Sequence, residues 1–219
     1  MRYKFKDFIP NKNQQEAIMH PLAPLMILAS AGTGKTATII HRIVHMVTNK
    51  NIDPSSILTI TYTEKAAQEL KDRIKMLIDI DNNSINVTTF HGLCLKIVRE
   101  FGQKKNDYAL IKNDELAYKI LEKFDDLGPF KSREFKKNPL QAITQSFLPF
   151  LDRLHDELLT LDGVPKRQLI YDEEEMNYQL EDLIRFYPIV QDMKKSANRL
   201  DYGDMILSAH QLLSSNDNI

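Results

Sequence analysis

The clearest chemical signal in this sequence is a short segment of small residues that ends in a lysine and a threonine. Its members are Ala29, Ser30, Ala31, Gly32, Thr33, Gly34, Lys35 and Thr36. The order fits the phosphate-loop pattern G-x-x-x-x-G-K-[ST], with Ala29 in place of the first glycine. Small residues let consecutive backbone N–H groups turn inward around a phosphate, at the positive end of the helix that follows.

Two side chains of this segment, Lys35 and Thr36, are the candidate catalytic residues. The ammonium of Lys35 would reach the β- and γ-phosphates, and the hydroxyl of Thr36 would coordinate Mg²⁺. Phosphate loops occur in kinases, GTPases, transporters and nucleic-acid motors. The segment therefore predicts a nucleoside triphosphate with Mg²⁺, and it leaves the function open.

A phosphate loop lies between a strand and a helix, and the surrounding sequence predicts both. Strand-like apolar runs alternate with helical patterns through the first 100 residues, which is typical of a parallel sheet with crossover helices. The pairs are 25–29 with 36–47, 57–61 with 64–78, and 85–90 with 91–101. This part of the chain is therefore predicted to be α/β.

From about residue 103 the pattern predicts helices only. The segments are 113–127, 139–161, 173–197 and 201–215. Glycine, lysine and asparagine in residues 101–107 interrupt both patterns and mark a boundary. The prediction is a first domain at 1–102, an all-helical insertion at 103–199, and a return to the first domain at 200–219.

Composition excludes several classes of protein. The 219 residues are 42% hydrophobic and 27% charged, as is usual for a globular protein. The lone cysteine, Cys94, excludes an intrachain disulfide framework, and no Cys/His cluster has zinc spacing. No run has the length of a signal peptide or membrane helix. We expect a cytoplasmic protein that is neither exported nor embedded in a membrane.

Charge is distributed unevenly along the chain. Residues 1–102 carry 13 Lys+Arg and 9 Asp+Glu, whereas residues 103–219 carry 16 and 21. A polyanionic partner is therefore easier to accommodate on the first part. The surplus is far below that of a dedicated DNA-binding domain, so charge alone does not identify one.

Four further motifs accompany the phosphate loop. They are NKNQQEAI at 11–18, TYTEKAAQEL at 61–70, TTFHGLCLKIVR at 88–99 and LDYGD at 200–204. In this order the five motifs resemble those of the UvrD/PcrA/Rep group of superfamily 1 DNA helicases. The resemblance implies a RecA-like P-loop NTPase sheet, here incomplete, with an inserted helical subdomain. It also implies ATP, Mg²⁺ and single-stranded DNA as ligands.

The resemblance assigns roles to residues outside the loop. Gln14 corresponds to a glutamine that hydrogen-bonds adenine, since an amide donates and accepts at once. Aromatic faces can stack bases, and hydroxyl groups can bind phosphates. The residues expected to contact nucleic acid are Thr61, Tyr62, Thr63, Lys65, Thr89, Phe90 and His91. The hydroxyl of Thr89 and the imidazole of His91 are expected to be exposed at a strand end.

Each of these residues also has an ordinary structural interpretation. Gln14 and Lys65 could be solvated helix residues, Tyr62 could fill a core, and His91 could simply begin a helix. Cys94 is predicted to be a small core residue. Another pair, Asp201 and Asp204, could cap the last helix or contact a ligand. Many relatives have arginine where this chain has Ala37, so a nucleotide contact through that arginine is not expected.

ATP hydrolysis in this family also needs an Asp-Glu-x-x-Asp strand end and arginines from later motifs. Residues 168–175, with Asp172 and Glu173, imitate the acidic strand but precede LDYGD, and they also suit a helix N-terminus. We therefore expect a fragment made of domain 1B and part of 1A, without the rest of 1A, 2A and 2B. The fragment is predicted not to hydrolyse ATP.

The parent is expected to be an ATP-dependent 3′-to-5′ DNA helicase that acts on single strands and single-strand/double-strand junctions. Two alternatives stay open. One is a P-loop phosphotransferase whose helices form a substrate lid. The other is a naturally short helicase-like module that binds nucleotide or nucleic acid without turnover.

Overall fold

The computed structural model describes residues 8–78, 85–102, 108–159, 161 and 174–216. The chain divides into two units between Gly92 and Leu93, and each unit has its own hydrophobic core. None of the helices within the described ranges is long and apolar enough to cross a membrane.

The first unit alternates helices with two short strands. Its elements are α1 (Lys12–Met19), α2 (Lys35–Lys50), β1 (Leu58–Thr61), α3 (Glu64–Leu77), β2 (Asn86–Thr89) and the beginning of α4 (Phe90–Phe101). All three helices predicted in this part of the sequence are confirmed. The Thr63 side chain begins α3 by accepting a hydrogen bond from the N–H of Ala66 at 3.1 Å.

Strands β1 and β2 pair in parallel, with Leu58 opposite Asn86 and Thr61 opposite Thr89. The crossover between them is α3, as the alternating pattern predicts. The core consists of apolar residues from α2, α3 and the β2 region, and it includes Ile40, Val44, Leu70, Ile74 and Val87. The α/β character of this part is confirmed, whereas the RecA-like fold stays a prediction.

The predicted strand at 25–29 does not form. Among the described residues, no ladder of hydrogen bonds joins this run to β1 or β2. A strand is stabilised by such a ladder. Leu25, Met26 and Leu28 are also exposed, although a continuous apolar run suits a strand that is covered on both faces. The helix after the loop therefore agrees with the prediction, and the strand before it does not.

The second unit is mostly helical. After the remainder of α4 its elements are β3 (Ala109–Leu110), α5 (Asn113–Glu122), α6 (Phe124–Leu127), α7 (Arg133–Lys137), α8 (Pro139–Ala142), α9 (Leu148–Asp156), α10 (Glu174–Ser196), β4 (Arg199–Leu200) and α11 (Tyr202–Ser215). A π-helical turn, Ile143–Phe147, joins α8 to α9. The segments predicted as single helices at 113–127 and 139–161 are thus interrupted. The parallel pairing of β3 with β4 was not predicted.

Two clusters fill the second unit. The larger is rich in phenylalanine, and the rings of Phe135 and Phe186 meet edge to face with centroids 5.2 Å apart. The smaller joins Cys94 and Val98 of α4 to Met205 and Ala209 of α11, which confirms Cys94 as a core residue. Burial raises the pKa of its thiol. The domain limits 1–102, 103–199 and 200–219 stay predictions.

Candidate functional site

The phosphate loop is an exposed turn with two glycines in left-handed conformation. Gly32 and Gly34 have φ angles of 77° and 85°, which residues with a Cβ rarely adopt. The hydroxyl of Thr33 donates to the carbonyl of Ser30 at 2.7 Å and closes the turn. A Cβ added at Gly32 would meet nothing within 4 Å, so the loop has open space on that side.

Lys35, the first residue of α2, folds back over the loop. Its ammonium donates to the carbonyl oxygen of Ala29 and, at 3.2 Å, to that of Ser30. The side chain is exposed, as is that of Thr36 beside it. Because backbone carbonyls are its hydrogen-bond acceptors, Lys35 can exchange them for phosphate oxygens without breaking a buried ion pair. An ammonium, a hydroxyl and the N–H groups at the start of a 16-residue helix suit phosphate with Mg²⁺.

Gln14 supports the loop from α1. Its Oε1 accepts from the N–H of Asn11 at 2.9 Å, and the Asn11 side chain accepts from the N–H of Gln14 at 2.9 Å, which forms a capping box. Its Nε2 donates to the carbonyl of Thr33 at 3.0 Å. The amide therefore connects the helix cap to the phosphate loop, and its contact with adenine stays a prediction.

Arg42 is a supporting residue that the sequence motifs did not indicate. From α2 its guanidinium donates to three carbonyls, those of Ala17 in the last turn of α1 at 2.8 Å, of His20 at the C-cap at 2.9 Å and of Pro21 just after it at 3.0 Å. The last carbonyls of a helix lack partners within it. Arg42 satisfies them and fixes α1, and with it Gln14, to the helix that follows the loop.

A buried histidine adjoins Arg42 on α2. The ring of His41 stacks on Phe8, with centroids 4.6 Å apart and planes 13° apart. Burial lowers the pKa of His41, because the charged imidazolium loses its hydration there. In addition to the hydrogen bonds of Arg42, this stack connects the segment before α1 to helix α2.

Two aromatic side chains leave the same edge of the two-stranded sheet. Because Thr61 lies opposite Thr89, the residues that follow them, Tyr62 and Phe90, lie at neighbouring strand ends. Tyr62 is 97% exposed and Phe90 is 49% exposed. Tyr62 is therefore not a core residue. Lys65 is also exposed on the first turn of α3.

The hydroxyl of Thr89 is expected to be exposed, but the residue is buried. The residue is 6% exposed, and its hydroxyl donates to Oε1 of Glu64 at 2.7 Å while accepting from the N–H of Gly92 at 3.0 Å. The prediction of an exposed hydroxyl is therefore wrong for Thr89, because neighbouring groups already use its hydrogen-bonding capacity. His91 is partly exposed, and its ring meets that of Phe90 edge to face at 6.3 Å.

The LDYGD motif lies in a buried charge cluster of the second unit. Asp201 and Asp204 form a reciprocal cap at the start of α11, with bonds of 2.7 and 3.0 Å, which confirms their capping role. The ammonium of Lys194 lies 2.5 Å from Asp201 and 2.6 Å from Asp204. The ring nitrogens of His155 lie 3.6 Å from an oxygen of each carboxylate.

Burial raises the pKa of both carboxyl groups, whereas the Lys194 ammonium lowers it. Burial raises the pKa of Asp204. At Asp201 burial is the largest single influence and also acts to raise the pKa, but the Lys194 ammonium, the N–H of Asp204 and His155 together outweigh it, and the pKa is lowered. Within the described ranges, the only trio with the donor types and spacing for a metal is His155, Asp201 and Asp204. Since Lys194 already neutralises part of the carboxylate charge, the arrangement is better explained as a buried ion-pair network.

The acidic segment 168–175 lies almost entirely outside the described residues, including Asp172 and Glu173. Its last two residues, Glu174 and Glu175, form the first turn of α10. This position agrees with the alternative of acidic residues at the positive end of a helix.

Comparison with known proteins covers nearly the whole chain. Residues 10–219 match the family model described as UvrD/REP helicase N-terminal domain. The chain is 29% identical to a probable DNA helicase II homolog of Rickettsia conorii over 98% of this chain and 31% of that protein. It is 31% identical to the ATP-dependent DNA helicase Rep of Buchnera aphidicola over 94% of this chain and 28% of that protein. An ATP-dependent DNA helicase PcrA of Staphylococcus aureus is 28% identical over 92% and 26%. The chain thus spans less than a third of these relatives.

Proposed function

The chain belongs to the UvrD/REP helicase N-terminal domain family, and from this premise we propose that it supplies ATP-binding and strand-binding surfaces of an ATP-dependent DNA helicase. The whole protein would move 3′ to 5′ on single-stranded DNA, act at single-strand/double-strand junctions and work in the cytoplasm. The observation that carries the proposal is the exposed phosphate loop, in which the Lys35 ammonium donates to the backbone carbonyls of Ala29 and Ser30.

On the nucleotide side, Lys35 would exchange the carbonyls of Ala29 and Ser30 for β- and γ-phosphate oxygens. Thr36 would hold Mg²⁺, which neutralises charge on the phosphates when bound. The loop N–H groups from Ala31 to Gly34 would surround the phosphate. Gln14 would recognise adenine from a position that Asn11 and Arg42 fix. Ala37 provides no side-chain donor.

On the strand side, Tyr62 and Phe90 would stack bases, because each presents an exposed ring at the end of its strand. Thr61, Thr63, Lys65 and His91 would contact the sugar–phosphate backbone. Thr89 lies at the same edge, and its contribution would be indirect because its hydroxyl is directed to Glu64.

The 219 residues alone are proposed not to hydrolyse ATP. Within this family, hydrolysis needs an acidic strand end and arginines from later motifs, and the recognised motifs of this chain do not include them. The remaining parts of the parent, the rest of 1A with 2A and 2B, would supply those groups. ATP-driven closure between the two RecA-like domains would then move the strand.

A binding experiment tests both surfaces. Titration of the chain with a fluorescent ATP analogue and Mg²⁺ should show binding that Lys35→Ala weakens at least about 10-fold, worth about 1.4 kcal/mol. The matched control is Lys50→Ala, at the other end of α2. Binding of a labelled oligothymidylate should be weakened by Tyr62→Ala but not by Tyr118→Ala, a 63% exposed tyrosine of the second unit. Equal nucleotide affinity of Lys35→Ala and the unchanged chain would refute the nucleotide site.

Activity assays separate the alternatives. A full-length Lys35→Ala protein that keeps DNA-stimulated ATPase and unwinding would refute the helicase. Rapid ATP turnover by the 219 residues, abolished by Lys35→Ala, would indicate that residues 168–175 provide the acidic strand end that hydrolysis needs. Phosphorylation of a small molecule with no response to DNA would favour the phosphotransferase.

A further inference from the structure

The two segments that carry the exposed aromatic rings are joined by one side-chain contact. The hydroxyl of Thr89, at the end of β2, donates to Oε1 of Glu64, at the start of α3, at 2.7 Å. Glu64 is two residues after Tyr62, and Thr89 directly precedes Phe90. The contact lies where the ladder between β1 and β2 ends at Thr61 and Thr89. It therefore continues the connection between the segments beyond the last strand pair.

The hydroxyl of Thr89 is held on both sides. It accepts from the N–H of Gly92 at 3.0 Å while it donates to Glu64. A Cβ at Gly92 would lie 3.0 Å from this hydroxyl and would collide with that of Thr88, so only glycine leaves room for the arrangement. The first turn of α4 is thereby fixed to β2 and, through Glu64, to the first turn of α3.

Glu64 is an unusual residue for a surface that would bind a polyanion. It is exposed, and a carboxylate there would repel phosphates. Two features favour it nevertheless. Its charge lies in the first turn of α3, near the positive end of the helix, and it provides a charged acceptor for Thr89. These features explain a carboxylate that positions neighbouring groups and does not itself contact the strand.

We propose that Glu64 is a positioning residue for strand binding, which through Thr89 holds the rings of Tyr62 and Phe90 at the spacing needed to stack a single strand. Stacking on two rings requires both to be held before the bases arrive, because ordering them on binding costs free energy. The inference rests on the proposed function, since it assumes that DNA binds at this edge.

Four variants test the proposal with a labelled oligothymidylate. Thr89→Val removes the hydroxyl at constant shape, and Glu64→Ala removes the acceptor. Both should weaken binding about 5-fold, within the range of one base stack. Thr89→Ser and Glu64→Gln keep a donor and an acceptor, so neither should weaken binding, and Glu64→Gln should slightly strengthen it because a negative charge is lost. The double variant Glu64→Ala/Thr89→Val should be no weaker than either single variant.

Further measurements distinguish positioning from other roles. The fluorescence of 2-aminopurine in the oligonucleotide reports base stacking. Its change on binding should be smaller for the Thr89→Val variant than for the Thr89→Ser variant. Affinity for the fluorescent ATP analogue should be the same in all variants. A purely electrostatic Glu64 would instead make Glu64→Ala and Glu64→Gln bind DNA equally tightly, with no effect of Thr89→Val. That result would overturn the proposal, as would a general loss of stability and nucleotide binding.

Failure of the inference and failure of the proposed function can be told apart. If Tyr62→Ala leaves DNA affinity unchanged, strand binding at this edge is refuted. If Tyr62→Ala weakens binding while Thr89→Val does not, strand binding stands and the role of Glu64 is refuted.

Discussion

Two lysines of this chain, Lys35 and Lys194, occupy opposite environments. Lys35 is exposed at the start of α2 and donates to backbone carbonyls of the phosphate loop. Lys194 is 2% exposed in α10 and lies between the carboxylates of Asp201 and Asp204. An ammonium bonded only to neutral oxygens can exchange them for a ligand, whereas one between two buried carboxylates cannot leave without exposing unpaired charge. Burial thus distinguishes Lys35, the lysine proposed to bind phosphate, from Lys194, a structural one.

The largest effect is expected from removing the buried lysine. Lys194→Met should lower the free energy of unfolding by about 3–5 kcal/mol, because it leaves two buried carboxylates without their counter-ion. Urea denaturation provides the measurement. Its neighbour Lys195 is exposed, so Lys195→Met is the matched control.

Lys35→Met completes the comparison, and it should leave the stability nearly unchanged while it weakens nucleotide binding at least about 10-fold. A loss below about 1 kcal/mol for Lys194→Met would remove the distinction between the two lysines, since it would place the buried pair in the range of surface ion pairs.

The second effect concerns two glycines, one in each region. In Gly203→Ala the new Cβ would collide with the ring of His155, and overpacking should cost about 1–3 kcal/mol although alanine favours helices. In Gly32→Ala the Cβ meets open space, so only the φ of 77° is unfavourable, at about 1–2 kcal/mol.

The double variant Gly203→Ala/His155→Ala tests the cause. His155→Ala removes the ring atoms Nδ1 and Cγ, which would lie within 2.6 Å of the new Cβ, but it keeps the Cβ of residue 155, which would also lie at 2.6 Å. Adding Gly203→Ala to His155→Ala should therefore cost less than adding it to the unchanged chain, although part of the loss should remain. Thermal denaturation measures both steps, and additive losses would show that the collision with the ring is not the cause.

The sequence predicted the turn of the phosphate loop, the helix after it and capping of α11 as one alternative, because each depends on local spacing. It also predicted the parallel pairing, because strands that alternate with helices favour a parallel sheet. It did not predict what depends on distant partners. The run at 25–29 has the composition of a strand but no ladder in the described ranges. Arg42 resembles any helix cation, and only its contacts with Ala17, His20 and Pro21 show its function. The hydroxyl of Thr89 is turned inward, where Oε1 of Glu64, 25 residues earlier, accepts its hydrogen bond.

The third effect tests how the exposed loop is supported. Arg42→Met should lower stability by about 1–3 kcal/mol, because three carbonyls lose a charged donor. It should also weaken binding of the ATP analogue, since α1 carries Gln14. The exposed Arg73 of α3 provides the control, Arg73→Met, which should change neither quantity. Lower stability with unchanged nucleotide affinity would show that Gln14 does not need a fixed α1.

The smallest effect is a pH dependence that arises from histidines of the first region. The pKa of His41 is lowered from its ordinary value of 6.5 by burial, so the unfolded chain binds a proton more readily than the folded one. Stability should therefore fall as the pH decreases from 6.5 through the lowered folded pKa, and it should be constant with respect to this group above 6.5. Urea midpoints at pH 7.5 and 5.5 measure the slope, and His41→Gln should reduce it.

The pKa of His45 on the same helix is lowered as well, by burial and by Lys50 and Arg42, so part of the slope should persist until His45→Gln is added. A slope unchanged in the double variant would place the titrating group outside α2.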